Sequence, residues 1–261
     1  MREWNGSVAF ITGGGRGIGL GIARALATRG VRLALADIDE EALARSADEL
    51  AQVTEVVTTP LDVRDRAAFT AVADTVEASL GPVDLLFNNA GIAPHAPVTE
   101  WTWEKWDVAL GINLHGVING LQAFLPRMIA RGAGGHVVNT ASGAGLIANS
   151  SVLYTTAKFA VVGLSESLQR ELSGHGIDVS VLCPGPVDTG ILGNTGAIDA
   201  DVAVRHGRTE NYLKHGANID AVGELVLAGM AARATWIHTD DFVRPMLERR
   251  MADLLDSFPA H

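Results

Sequence analysis

Short apolar runs alternate with amphipathic stretches along most of this chain. Runs rich in small and β-branched residues recur at Ser7–Thr12, Val31–Asp37, Val53–Thr58, Val83–Asn88, His136–Ala141 and Ile177–Cys183, with a shorter one near Thr235–His238. Helix-period segments fill the gaps. The runs are apolar throughout instead of alternating with polar residues, as strands covered on both faces must be. This βαβα order predicts a doubly wound α/β fold, a parallel sheet of about seven strands with helices on both faces. A helix is expected from Gly17 to Arg29, closed by Gly30, and another from an Asp65 cap to Leu80, ended by Gly81-Pro82. From Asp188 to about Asn218 the period dissolves into a Gly-, Asn- and Asp-rich stretch too long for an ordinary connection, which predicts a substrate lid near 188–218. Near 242–258 a helical stripe of Val243, Met246, Leu247, Met251, Leu254 and Leu255 is expected to pack locally or against a neighbour. No repeat, heptad run or linker divides the chain, so residues 1–261 are expected to form one domain.

Composition narrows the partners. A formal net charge of -10 lacks the basic footprint that binding a phosphate backbone requires, so no nucleic-acid role is expected. The single cysteine, Cys183, has no partner within the chain and is expected to be a small core residue. The start MREWNGSVAFIT lacks a basic, apolar leader, so a cytoplasmic setting is expected. The apolar stretches look strand-sized, short of the roughly 20 residues of a membrane span, and no membrane association is expected. The eight histidines are scattered, with no His-Glu-x-x-His and no cysteine pair, so no metal is expected.

The first apolar run leads directly into Thr12-Gly13-Gly14-Gly15-Arg16-Gly17-Ile18-Gly19, where a helical pattern begins. Gly13 permits the tight turn, Gly17 lets backbone amides approach a pyrophosphate at the helix N-terminus, and Gly19 allows close helix–strand packing. Between strand one and helix one this is the dinucleotide-binding, or Rossmann, pattern. Asp37 closes the second run, 18 residues beyond Gly19, where a carboxylate accepts from ribose hydroxyls and repels a 2′-phosphate; this points to NAD. Arg16, inside the loop, keeps NADP open as the alternative.

Further along, Tyr154 and Lys158 stand four apart and share a helix face. A phenol, with an ordinary pKa of about 10, is a poor base at neutral pH, and a nearby ammonium favours the phenolate. With the glycine loop, Asp62 after strand three, Asn88-Asn89-Ala90-Gly91 after strand four, Ser142 after strand five and Pro184-Gly185 after strand six, residues 6 to 190 resemble the short-chain dehydrogenase/reductase family. That resemblance implies an oxidoreductase moving a hydride between a secondary alcohol and a ketone. It makes Tyr154 the general acid/base, Lys158 the residue that lowers the Tyr pKa and contacts the nicotinamide ribose, Ser142 the residue that orients the substrate oxygen, and Asn113 the support of a proton-relay water. It also implies cofactor contacts from Ile18, Asp62, Val63, Asn89, Ala90, Gly91, Pro184, Gly185, Val187 and Thr189. The alternative class is a catalytically silent dinucleotide sensor.

Ser142 precedes Tyr154 by 12 residues, one fewer than the family's usual spacing. Thr140 is a rival hydroxyl, though it is expected to face the sheet as an ordinary β-former. Asn88 reads equally as a tie between strands. Substrate is expected among Ile92–Pro97, Gly143–Leu153 and the lid, with His95, Ala144 and Asn149 as contacts. Trp101, Trp103 and Trp106 read either as packing at a helix start or as an aromatic wall for a hydrophobic or aryl substrate. The stretch from Gly111 to Val138 is distantly similar to family members that oxidise benzylic alcohols of lignin-derived compounds. Apolar faces around Trp106–Met128 and Tyr154–Leu172 match those through which relatives form dimers and tetramers, so a homo-oligomer is expected.

Overall fold

The apolar runs lie side by side in the computed structural model, which describes residues 4–203 and 216–259. They are β1 (Val8–Thr12), β2 (Arg32–Asp37), β3 (Val56–Pro60), β4 (Leu85–Asn88), β5 (Gly135–Thr140), β6 (Ile177–Cys183) and β7 (Trp236–His238). All pair in parallel, in the order β3-β2-β1-β4-β5-β6-β7. Strand order reverses between β1 and β4, so the loops leaving these strands diverge and open a crevice at their C-terminal ends.

Helices cover both faces. On one side α3 (Arg66–Leu80), α5 (Gly116–Arg131) and α6 (Val152–Glu171) bury Phe69, Val76, Phe124 and Val161 against the sheet. On the other, α1 (Gly17–Ala27), α2 (Glu40–Leu50) and α8 (Ile219–Ala231) bury Ile22, Leu26, Leu43, Val226 and Met230. α1 and α8 approach so closely that a Cβ on Gly223 would strike the Gly21 carbonyl. Asp65 caps α3 by accepting from the Ala68 amide at 2.9 Å, as its position predicts.

Four expectations need correction. β3 begins at Val56, not Val53, because the Val53 and Thr54 amides donate to Leu50 O and finish α2. Pro60 is tolerated at its end because β3 is an edge strand bonded only to β2. The stretch read as an irregular lid contains a helix, α7 (Ile191–Ile198), and a 3-10 turn at Ala200–Val202; residues 204–215 of the expected lid lie outside the described residues. The apolar segments are not all strand-sized. α4 (Trp103–Leu110), a π-turn (Gly111–His115) and α5 run on as one 29-residue helical stretch, apolar and long enough to cross a membrane, yet more than half buried inside the fold. Finally, α9 (Arg244–Asp256) has its apolar stripe largely outward, with Leu255 63% exposed.

Asn88 does tie strands together. Its amide donates to Asn139 Oδ1 on β5 at 2.9 Å, Asn139 donates to Ser165 Oγ on α6 at 3.0 Å, and the Ser165 hydroxyl closes on Val161 O at 2.7 Å. This buried polar line fixes the height of α6, and with it Tyr154, against β4 and β5.

Candidate active site

The crevice holds a cavity of about 970 Å³. Every residue expected at cofactor or substrate lines it except Gly19 and Asn113, which support it from behind. At one end Gly13 and Gly17 take positive φ (65° and 53°), conformations a side chain would strain, and leave the N-terminus of α1 facing the cavity. A Cβ on Gly19 would run into the Gly13 carbonyl, so its role is close packing. Asp37 accepts from Gly15 N and Asp39 N, each at 3.1 Å, and its partial burial raises the carboxyl pKa.

Arg16 is already engaged. Its guanidinium pairs with Asp39 and donates to Asn194 Oδ1 on α7 at 2.8 Å, joining the glycine loop to that helix. Asp39 and Asn194 were invisible in the sequence as site residues, because both partners depend on tertiary approach. Asp62 is held by Arg64 at 2.6 Å, which lowers its carboxyl pKa. Asn89 donates to Thr12 O at 3.1 Å and Gly13 O at 3.3 Å, so it braces the glycine loop from β4.

At the other end α6 starts at Val152, so Tyr154 and Lys158 occupy its first two turns. The Ser142 side chain acts on the Tyr154 phenol, lowering its pKa against the larger effect of burial. Thr140 faces the cavity after all, and its hydroxyl donates to Asn89 Oδ1 at 3.3 Å. Lys158 is 3% exposed; its ammonium donates to Thr140 O at 2.9 Å and lies 5.5 Å from the Tyr154 ring centre. Burial lowers the amine to about 8 and raises the phenol above its ordinary value. Burial is the main cause for both groups, and the Lys158 ammonium is hydrogen-bonded to the Thr140 carbonyl. Cys183, buried beside Ser142, has its thiol pushed up to about 12 by burial.

Asn113 sits inside the π-turn with both ends of its amide occupied, donating to Ala109 O at 3.0 Å and accepting from Ile92 N at 3.2 Å. It joins the turn to the loop after β4. A Cβ on Gly91 would come within 3.0 Å of Asn113 Oδ1 and 3.4 Å of Lys158 Nζ, so the bare glycine keeps a gap open between them. Asn149 Oδ1 accepts from Ser151 N at 2.8 Å and Thr155 Oγ1 at 2.9 Å at the start of α6.

The tryptophans do not line the cavity. Trp101 and Trp106 meet edge to face, 5.5 Å apart, over Ala96, Ala109 and Leu153, while Trp103 is 81% exposed. The packing reading holds for Trp101 and Trp106, and besides Tyr154 the aromatic side chain of Phe242 lines the cavity, with Val243. Both lie beyond the motifs, and their return to the cavity left no local signal.

The short chain dehydrogenase family model matches residues 7–199. The chain belongs to the short-chain dehydrogenase family. It is an oxidoreductase of that family with a doubly wound sheet. The C alpha-dehydrogenase of a Sphingobium species is 32% identical across 98% of this chain and 88% of its own. The galactitol 2-dehydrogenase of Agrobacterium fabrum is 40% identical across 70% of this short-chain dehydrogenase and 72% of its own chain. A Burkholderia phymatum family member solved in complex with NAD superposes with a TM-score of 0.92 at 34% identity, covering 100% of this chain and 99% of that one.

Proposed function

We propose that this protein interconverts a hydrophobic secondary alcohol and its ketone with NAD, using Tyr154 as the proton carrier. The observation that carries this reading is the single cavity shared by the glycine loop and the Ser142, Tyr154 and Lys158 side chains. The residues fit the cofactor. The bare Gly13 and Gly17 backbone at the head of α1 suits a pyrophosphate, and Asp37 and Asp62 suit the adenosine ribose and adenine. With the Arg16 guanidinium engaged by Asp39 and Asn194, a 2′-phosphate meets the Asp37 and Asp39 carboxylates there, which favours NAD over NADP. NAD, when bound, supplies the hydride acceptor.

The protein's own part is orientation and proton transfer. Ser142 and Tyr154 together hold the substrate oxygen, stabilising negative charge there. In oxidation the ionised Tyr154 takes the hydroxyl proton, and in reduction the neutral phenol returns it. Lys158, its amine near 8, exchanges protons close to working pH. Asn113 fixes the π-turn and the Ile92 amide beside that relay. The mostly apolar remainder of the cavity favours a hydrophobic or aryl substrate.

A second apolar groove, of about 490 Å³, runs between α5 and α6 past Leu121, Leu125, Ile129, Leu164 and Leu168. It supports assembly into a dimer or tetramer. The deciding experiment follows NADH formation over a panel of aryl and aliphatic secondary alcohols, in parallel with NADP and with Tyr154→Phe. Turnover with NAD is expected, falling by about 10²-fold or more in the variant. Undiminished turnover in Tyr154→Phe overturns the mechanism.

A further inference from the structure

The part of the cavity bounded by the loops after β4 and β5, by α7 and by the start of α9 is lined chiefly by Ile147, Leu192, Ile198, Phe242 and Val243. His95 interrupts this apolar lining. Asn149, Ser150 and Ser151 line the same cavity; Asn149 Oδ1 caps the start of α6, and the Ser151 hydroxyl donates to Pro94 O at 2.9 Å. The His95 ring, partly buried, has no hydrogen-bond partner among the described residues.

The backbone carrying that ring is fixed at four successive residues. Ala93 N donates to Thr195 Oγ1 on α7 at 2.9 Å, Pro94 O accepts from Ser151, His95 N donates to Val202 O at 2.8 Å, and Ala96 O accepts from Trp101 Nε1 at 3.1 Å. Ala96 also packs with Leu153, the residue before Tyr154. An imidazole offers one donor and one acceptor, and here it stands on a rigid mount beside a mostly apolar wall. A substrate that covers it with hydrocarbon leaves those groups unpaired, whereas one bringing an oxygen there restores the bond, and sites of this kind reject analogues that lack the matching group.

We infer that His95 determines specificity by hydrogen-bonding a second oxygen of the substrate, which makes the substrate class an apolar secondary alcohol or ketone carrying a further hydroxyl or ether oxygen away from the reacting carbon. This rests on the dehydrogenase reading above. The test compares kcat/KM with NAD for 1-phenylethanol against its ring-hydroxylated and ring-methoxylated forms, substituted at each ring position. The wild type is expected to prefer an oxygenated form by about tenfold or more at one position at least. His95→Leu is expected to bring that ratio close to one, and His95→Gln, which keeps a donor and an acceptor, to restore part of it. A wild-type ratio near one throughout, or a ratio unmoved in His95→Leu, overturns the assignment. The two readings fail separately. Turnover of none of these alcohols sinks the dehydrogenase reading, and His95 is then judged by calorimetric binding of the same pairs to the NADH-loaded protein. There, a lost preference in His95→Leu supports the assignment and an unchanged one overturns it.

Discussion

Burial acts on Tyr154 and Lys158 in opposite directions. Because the phenol is raised, the ionised form needed for alcohol oxidation gains population as pH increases, while the neutral form needed for ketone reduction persists at lower pH. Initial rates in the two directions are therefore expected to diverge, with oxidation climbing through the alkaline range and reduction holding below it. For Lys158 the folded value of about 8 lies below the ordinary 10.5, so between them the unfolded chain holds the proton more tightly and stability rises with pH. Urea melts are expected to show wild type gaining about 3 kcal/mol on Lys158→Met between pH 7.5 and 10.5. At the far end of the cavity, Asp37→Ala removes a charged acceptor and is expected to weaken NADH binding by roughly 10- to 100-fold in a fluorescence titration. Most of these residues were legible in the sequence because backbone chemistry fixes glycine loops and helix spacing locally. The sign of the Tyr154 shift was not, since it depends on how deeply the folded chain buries the ring.

Elements show the same division. The apolar runs announced every strand, since strands buried on both faces have no polar side to show. The slip at β3 arose because Val53 and Thr54 are good strand residues that the end of α2 claims first. The π-turn left no trace in the pattern: one extra residue in a turn keeps the apolar period readable while rotating the backbone around Asn113. What the pattern could not show was how helices are held to the sheet, and there Asn139 is the test. Asn139→Ala leaves the Asn88 amide without its acceptor and Ser165 without a donor inside the core, with an expected loss of about 1–3 kcal/mol in urea unfolding.

Across the whole molecule, the net charge of -10 opposes close approach of copies, and the α5–α6 groove is the apolar face proposed for assembly. If that groove is an assembly face, Leu168→Glu buries a carboxylate in it and is expected to shift light scattering from an oligomer to a monomer without loss of the fold. The 29-residue apolar helical stretch then needs no lipid, for one side packs on the sheet and the other on a second copy. The strand order has a further consequence, in time. β1 lies inside the sheet and is the first of its strands to be synthesised, yet Ala9 must wait for Leu85 to complete its pairing. At about 5–20 residues per second, the nascent β1-β2-β3 half carries an open, wholly apolar edge for roughly seconds before β4 emerges. The strand that delivers the glycine loop is thus the one left longest unprotected at the ribosome.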